Sequence, residues 1–357
     1  MPSILDSRDQ IKELDKSGLL SSVEALPDQI LDALEQTKTV TVPEEYKTVK
    51  NVVVSGMGGS VLGSYVIKGL FKDELKMPFE IVSHYTLPAY VSTDTLVLLA
   101  SYSGTTEETL AAADDAQKRG AKVMVITSGG PLAELAQKNS WPIYLIKATY
   151  NPCNQPRLAI GYAIAGQLAL FAKASILPDQ SEGLTKVASG LREMIKRLVP
   201  ESTEGNTAKL LAYAAFEKHI VISAAEHLIG AAHVFNNQVN ENSKALTSEW
   251  HLPEFNHHYM EALGYPKANK ETTIFFLFNS ALYHDRIAKR FPLTQKLIES
   301  KEYETQLVQA TAPTKLEQVF EIIQLGEFVA AYLPILYRIA DPGPVPNVEW
   351  FKAEMAK

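Results

Sequence analysis

The stretch that decides the fold is NVVVSGMGGSVLGSYVIKGLF, residues 51–71. Three consecutive valines are typical of a buried strand, and a helical pattern of apolar residues follows Ser60. Between the two lies Ser-Gly-Met-Gly-Gly-Ser, residues 55–60. Glycines at such a turn let backbone N–H groups approach a ligand closely, and a helix N-terminus favours an anion. The stretch therefore predicts a strand, a turn and a helix, with an anion site at the turn.

The residues that follow extend this unit into a layered α/β domain. Short, nearly all-apolar strands alternate with amphipathic helices as far as about residue 148, which predicts a parallel sheet covered by helices on both faces. Two helical patterns, at about 7–16 and 27–37, precede the first strand. The predicted strands are 52–55, 79–83, 95–101, 122–127 and 142–146, and the predicted helices are 60–71, 105–120 and 131–139.

A second α/β alternation follows a loop rich in asparagine and proline, KATYNPCNQPR, residues 147–157. Its predicted strands are 218–223, 273–280 and 303–310, and the predicted helices are about 157–173, 183–199, 226–244, 284–300 and 315–339, with a short last helix after three prolines. We therefore predict two similar domains, each a parallel sheet in a flavodoxin-like three-layer sandwich. The first covers residues 1–155 and the second 156–357.

Composition excludes several classes of protein. The net charge is −7 and no basic stripe is present, so we expect no nucleic-acid partner. Cys153 is the single cysteine, which rules out an intramolecular disulfide framework and a cysteine-based metal site. The first residues are polar, and no segment reaches 18 uninterrupted apolar residues, so we expect neither a signal peptide nor a membrane span. A cytoplasmic protein is the expectation.

A second motif, LLASYSGTTEETL at residues 98–110, ends another buried strand at a helix N-terminus. Its hydroxyls and glycine can surround a phosphate with O–H and N–H donors, and the positive end of the helix complements the charge. The alternative is an ordinary helix cap with a capping box from Thr105 to Glu108. Both motifs follow neighbouring parallel strands at their carboxyl ends, where open α/β sheets bind ligands, and this favours a phosphate site.

Two other phosphate-binding motifs do not fit the first turn. A dinucleotide fingerprint would need glycine where Val61 stands, and His84 lies where a ribose-binding carboxylate is expected. A P-loop would need Gly-Lys-Ser or Gly-Lys-Thr after the turn, which is absent from the sequence. The turn therefore does not indicate a nucleotide cofactor.

The two motifs together, SGMGGS and some 40 residues later SYSGTTEET, resemble the sugar isomerase (SIS) domain, a phosphosugar-binding fold. NENSKALTSEWHLPEFNHHYMEALGY, residues 240–265, resembles the Asn-Glu-Asn-x-Lys … Pro-Glu-x-Asn-His stretch of the bifunctional phosphoglucose/phosphomannose isomerases. The tail DPGPVPNVEWFKAEMAK resembles the end of that family. The resemblance spans about residues 50–357. It implies two SIS domains, hexose 6-phosphate substrates, a homodimer with its active site at the interface, no cofactor and no metal.

The resemblance also implies catalytic residues. Glu241 takes the position of the base that moves a proton between C1 and C2, and Arg157 that of the cation beside the enediolate, a role that suits a permanently charged guanidinium. His257 corresponds to the ring-opening histidine, contributed by the partner subunit, and the alignment to Asn-His selects it over His258. Lys352 matches a C-terminal lysine near the ring oxygen. The alternatives are a solvated glutamate, a structural histidine and surface cations.

For substrate binding, the resemblance assigns the phosphate to Ser101, Ser103 and Thr106, and contacts with the sugar to Gly59 and Ser60. HLPEFNHH suggests metal ligands at first sight, but no accompanying carboxylate–histidine spacing supports zinc.

The sequence departs from the family at two places. Acceptance of mannose 6-phosphate is associated with a threonine ahead of the terminal lysine, whereas the last threonine here is Thr314 and the segment reads Gly-Pro-Val-Pro. TTEET also replaces the commoner Asn-Thr of the second motif, with Thr105 still expected to cap the helix. The leading hypothesis is glucose 6-phosphate/mannose 6-phosphate isomerisation through a cis-enediol. The alternatives are a phosphosugar-binding regulator, which would need a DNA-binding domain, and an isomerase for another sugar phosphate, such as an amino sugar.

Overall fold

The computed structural model describes residues 3–355 and 357, which form two parallel β-sheets flanked by helices. The first sheet has the strand order β2-β1-β3-β4-β5, which is the flavodoxin-like order. The second has the order β7-β6-β8-β9, the same order without a fifth strand. The strands are β1 Asn51–Gly56, β2 Phe79–Val82, β3 Thr95–Ala100, β4 Lys122–Thr127, β5 Ile143–Leu145, β6 His219–Ala224, β7 Thr247–His251, β8 Thr273–Ser280 and β9 Glu304–Ala310.

Sixteen α-helices in the described residues cover these sheets and join them. The helices of the first half are α1 Arg8–Leu14, α2 Leu19–Glu24, α3 Leu26–Thr37, α4 Leu62–Leu70, α5 Glu107–Lys118, α6 Gly130–Lys138 and α7 Ile160–Lys173. Those of the second half are α8 Ser181–Leu198, α9 Thr207–Ala215, α10 Ile229–Gln238, α11 Phe255–His258, α12 Asn269–Thr272, α13 Asp285–Ala288, α14 Arg290–Ser300, α15 Lys315–Leu336 and α16 Pro346–Met355.

The first sheet is buried on both faces, as its apolar strands predict. Side chains alternate along a strand, so Val53 and Val97 face one side and Val52, Val54 and Leu98 the other. The first set packs with α5 and α6 in a small core of its own. The second set belongs to a larger core that includes α3, α4 and α7 and continues into the second half of the chain. The three-layer arrangement is thus confirmed, and the two halves share one core.

Helix α15 lies at the centre of that shared core. It is long and apolar enough to cross a membrane by length and composition alone, yet 89% of its most apolar window is buried inside the protein. It packs against α8, α9 and α10. Its apolar character is therefore accounted for by its place in the core.

The structure corrects several predicted elements in the second half. The helix predicted over 226–244 ends at Gln238 and is followed by a π-helical turn, Val239–Ser243. Strand β7 was not predicted, because this edge strand of mostly polar, half-buried residues lacks the apolar run that marks a buried strand. The helix predicted over 284–300 is divided into α13 and α14 near Pro292, whose ring nitrogen carries no hydrogen to bond to the preceding turn. Helices α2 and α9 were also not predicted.

Helix α7 lies just after the predicted domain boundary but packs on the first half of the chain. It packs on α3 and α4 and also touches β4, all of which belong to the first half. The predicted division between residues 155 and 156 lies just before this helix and remains a prediction.

Candidate active site

The glycine turn after β1 is shaped by the segment that it packs against. Gly58–Val61 form a 3-10 turn, so that α4 begins at Leu62 and not at Ser60 as predicted. A Cβ atom placed on Gly59 would lie 2.4 Å from the backbone nitrogen of Arg157. No side chain larger than a hydrogen is accommodated there without a shift of the backbone. Glycine at this position lets the first domain's turn lie directly on the chain that carries Arg157.

The second turn, between β3 and α5, concentrates hydroxyl groups. The Ser101 and Thr106 hydroxyls lie 2.8 Å apart, and those of Ser103 and Thr105 lie 2.9 Å apart. Gly104 has a φ of +70°, and a Cβ atom there would lie 1.9 Å from a neighbouring carbonyl oxygen. The loop is therefore held in one tight shape, with its hydroxyls paired at the start of α5.

The capping box from Thr105 to Glu108, which was the alternative to a phosphate site, does not form. The N-cap of α5 is Thr106, and its side chain makes no capping hydrogen bond. The Thr105 hydroxyl bonds to Ser103 instead. The first N–H groups of a helix have no partner within the helix, so this N-terminus keeps donors for an anion. The carboxylate of Glu107, in the first turn, accepts a hydrogen bond from the hydroxyl of Tyr85 at 3.3 Å.

The two turns adjoin each other, as their places on neighbouring strands predict. The backbone N–H of Tyr102 donates to the Ser60 hydroxyl at 2.8 Å. Gly59, Ser60 and Ser101 line one small cavity together with Pro156. Three of the predicted substrate-binding residues, Gly59, Ser60 and Ser101, therefore lie together beside the segment that carries Arg157.

Arg157 connects the first of these turns to the second half of the chain. Its side chain is completely buried, and it follows the loop that joins the two halves. All three guanidinium nitrogens donate hydrogen bonds. The acceptors are Gln155 Oε1 at 3.0 Å, Glu241 Oε2 at 3.1 Å, the carbonyl oxygen of Gly343 at 2.5 Å, and Asn242 Oδ1.

The pairing of Arg157 with Glu241 determines the electrostatics of the site. Burial lowers the pKa of Arg157, and the nearby Glu241 carboxylate opposes that effect. An arginine remains charged in proteins, so a buried, fixed positive charge results. The Glu241 side chain is 29% exposed, in contrast to the arginine beneath it. The carboxylate therefore lies between a buried cation and the accessible side of the site.

A π-helical turn places Glu241. Turns of this type are rare and are found frequently at functional sites. The turn is fixed to α15, because the Ser243 hydroxyl donates to the carbonyl oxygen of Ala330 at 3.1 Å. It ends at Lys244, which has a φ of +53°. The C-terminal end of the turn that carries Glu241 is therefore fixed to the core.

The Lys244 ammonium group ties the turn to the segment that precedes α16. It donates to the carbonyl oxygens of Glu241 at 2.5 Å, Pro342 at 3.1 Å and Pro344 at 2.6 Å. Arg157 binds the carbonyl of Gly343, between the two prolines. The C-terminal segment is thus anchored at the candidate site by two cations.

Two predicted residues do not join this cluster within one chain. His257 is exposed on the short helix α11, and its neighbour His258 packs edge-on against Trp250 at a ring separation of 5.2 Å. Lys352 is exposed on α16, a helix with no buried residue. Four exposed apolar side chains lie on the same helix, namely Val348, Trp350, Phe351 and Met355.

Sequence reasoning did not identify four residues that bind Arg157 or Glu241. Asn242 and Lys244 lie in the same Asn-Glu-Asn-x-Lys motif as Glu241, so the motif itself contained the signal. Gln155 and Gly343 contact Arg157 through its Nη atoms. Neither has a local sequence signal, since Gly343 lies far along the chain and Gln155 is one polar residue of a loop.

Comparison with known proteins identifies relatives of both halves of the chain. Residues 45–170 match the SIS domain, and residues 204–355 match the bacterial phospho-glucose isomerase C-terminal SIS domain. A bifunctional phosphoglucose/phosphomannose isomerase of Caldicellulosiruptor bescii is 35% identical over 95% of this chain and 99% of its own. Another, from Aquifex aeolicus, is 29% identical over 88% of this chain and 93% of its own.

A solved structure shows the same fold at lower sequence identity. A hypothetical protein of Thermus thermophilus superposes with a TM-score of 0.75 at 18% identity, covering 99% of this chain and 93% of that one. Both SIS matches fall on the two sheets described above. The chain therefore belongs to the bifunctional phosphoglucose/phosphomannose isomerase family and consists of two SIS domains.

Proposed function

We propose that this protein interconverts fructose 6-phosphate with glucose 6-phosphate and with mannose 6-phosphate, as an aldose–ketose isomerase. One observation carries the proposal: Glu241 pairs with the buried Arg157 at 3.1 Å, beside the two turns that adjoin one another. A carboxylate and a fixed cation are the groups that proton transfer through an enediolate requires. The names of the relatives from Caldicellulosiruptor bescii and Aquifex aeolicus support the same activity.

The phosphate group would bind at the N-terminus of α5. Ser101, Ser103 and Thr106 would supply hydroxyl donors, and the free N–H groups of the first turn would add their dipole. Gly59 and Ser60 would contact the sugar on the way to Arg157. The phosphate would thus hold the far end of the hexose while C1 and C2 lie at Glu241.

The chemical step moves two protons, one between the carbon atoms C1 and C2 and one between their oxygens. Starting from fructose 6-phosphate, the Glu241 carboxylate removes a proton from C1, and the carbonyl oxygen at C2 takes up negative charge beside the Arg157 guanidinium. Glu241 then returns the proton to C2, while the hydroxyl proton of O1 passes to O2 and leaves an aldehyde at C1. Return to one face of C2 gives glucose 6-phosphate, and return to the other face gives mannose 6-phosphate. No electron acceptor is consumed, so the step balances without a redox cofactor.

Ring opening would require His257 from the partner subunit of a homodimer, with Lys352 near the ring oxygen. Two features support a dimer. His257 is exposed in the single chain, and α16 exposes four apolar side chains that a second copy would cover. The free, buried Cys153 suits a reducing compartment, and we propose the cytoplasm.

The activity is tested with purified protein and fructose 6-phosphate in the presence of a chelator, with separate coupled assays for the two aldose products. We expect both products to form. Formation of glucose 6-phosphate alone would limit the function to one activity. The missing threonine near the C-terminus would then account for the lack of activity on mannose 6-phosphate. Absence of both products, with phosphosugar binding intact in calorimetry, would favour a phosphosugar-binding regulator instead.

The contribution of His257 across the interface is tested by subunit complementation. Glu241→Gln and His257→Ala subunits carry different affinity tags, and the heterodimer is purified through both. If Glu241 and the partner's His257 share a site, one site of the heterodimer is intact and activity should return to about half the wild-type value. If both residues act within one subunit, both sites stay defective and no activity returns. His258→Ala in place of His257→Ala is the matched control, and it should retain activity as a homodimer.

A further inference from the structure

A carboxyl group lies in the middle of α15, the long helix at the centre of the shared core. Glu327, on α15, is 1% exposed. A Cβ atom on the preceding residue, Gly326, would lie 2.9 Å from the ring of Phe235, so α15 and α10 approach each other closely at this level. Burial raises the pKa of Glu327 well above its usual range, and the hydrogen bond from Gln238 only partly opposes that. An ionised carboxylate without a cation is costly in such a place.

The partner of Glu327 is the last residue of α10. Gln238 Nε2 donates to Glu327 Oε1 at 3.0 Å and to the backbone carbonyl of Arg157, also at 3.0 Å. Both hydrogens of the amide group are then used. Among the described residues, Glu327 Oε2 and Gln238 Oε1 are each buried without a donor. The two unsatisfied oxygens thus belong to two groups that already bond to each other.

We propose that Glu327 is an uncharged carboxylic acid whose proton, on Oε2, is donated to Gln238 Oε1, and that this acid–amide pair positions Arg157 and Glu241 for catalysis. With this one proton, Glu327 Oε2 becomes a hydrogen-bond donor and Gln238 Oε1 receives the bond. The acid and the amide are then joined by two hydrogen bonds that close a ring. Buried polar groups are nearly always hydrogen-bonded, and the protonated form gives both of these buried oxygens a hydrogen-bond partner.

The pair reaches both catalytic residues through the backbone. Gln238 holds the carbonyl of Arg157, and it is the residue directly before the π-helical turn that carries Glu241. The same helix α15 holds the other end of that turn, through the bond from Ser243 to Ala330. A shift of Gln238 would therefore displace the base and the cation together. This positioning role rests on the proposed isomerase function, whereas the protonation of Glu327 does not.

Variants separate positioning from simple stabilisation. Glutamine at 327 offers the same acceptor and a donor in the same place, so Glu327→Gln should keep kcat within about twofold of wild type. Glu327→Leu leaves Gln238 without its partner and should lower kcat by about 10- to 100-fold with little change in KM, because small misplacements of catalytic groups have effects of this size. Phe320→Leu, a substitution at a buried apolar position of the same helix, is the control: it should lower the melting temperature and leave kcat unchanged.

The proton is detected by infrared spectroscopy at pH 7. The difference spectrum of wild type and Glu327→Gln should contain the carbonyl stretch of a protonated carboxyl group. Absence of that band overturns the acid–amide pair. If the band is present but folded Glu327→Leu keeps wild-type kcat, the positioning role is wrong. If wild type has no isomerase activity, the proposed function fails, and the infrared result still decides the protonation state.

Discussion

Glu241→Gln should lower kcat for the interconversion of fructose 6-phosphate and glucose 6-phosphate by about 10²- to 10⁴-fold, the usual contribution of a positioned base. KM should change little, because the amide oxygen of glutamine can still accept the bond from Arg157. The loss corresponds to about 3–5 kcal/mol of transition-state stabilisation. Steady-state kinetics with glucose 6-phosphate dehydrogenase as the coupling enzyme measures it. Glu193→Gln, on the exposed face of α8, is the matched control and should be unaffected.

The same variant distinguishes a base from a group that only binds substrate. An enediol mechanism exchanges the transferred hydrogen with solvent to some extent, so wild type in D2O should introduce deuterium into the sugar phosphate. Glu241→Gln should lose this exchange in parallel with kcat. Exchange at the wild-type rate in a variant with slow turnover would falsify the assignment of Glu241 as the base. The site would then need another proton acceptor.

The sequence predicts the first half of the site well because its signals are local. The valine strand, the glycines and the cluster of hydroxyls lie within short stretches, and parallel strands bring their carboxyl ends to one edge. The observed register, with Gly56 opposite Ala100, sets the two turns side by side. The expectation that Thr105 caps α5 was wrong for a local reason: Thr105 bonds to Ser103, and Thr106 takes the N-cap position instead.

The second half of the site depends on contacts between distant parts of the chain. Arg157 meets Glu241 and Gly343, 84 and 186 residues further along. Only the resemblance to a family identified the first of these, and nothing in the residues identified the second. Glu327 shows a different limit. A single glutamate within the apolar run of α15 indicates burial, but the sequence does not identify its partner, Gln238.

Replacing Arg157 should have a large effect on both catalysis and stability, and two variants are needed to separate them. Arg157→Met removes the cation and leaves the oxygens of Asn242 and Gly343 buried without donors, at a cost of about 1–3 kcal/mol for each. Arg157→Lys keeps the charge beside Glu241, but a single ammonium nitrogen cannot reach acceptors that three guanidinium nitrogens now serve. We therefore expect the lysine variant to melt at a higher temperature than the methionine variant.

For catalysis, the lysine variant is the decisive one, because it retains the charge and should be the better folded of the two. Its kcat should fall by about 10²- to 10³-fold, as expected when a fixed donor to a developing oxyanion is lost. Arg192→Met, which removes an exposed arginine paired with Asp28 on the surface, is the control and should keep wild-type kcat. A folded Arg157→Lys protein with kcat within about threefold of wild type would contradict this role of the guanidinium donors. The positive charge at position 157 would then suffice for the enediolate, and the fixed guanidinium donors would serve only to hold the two halves of the chain together.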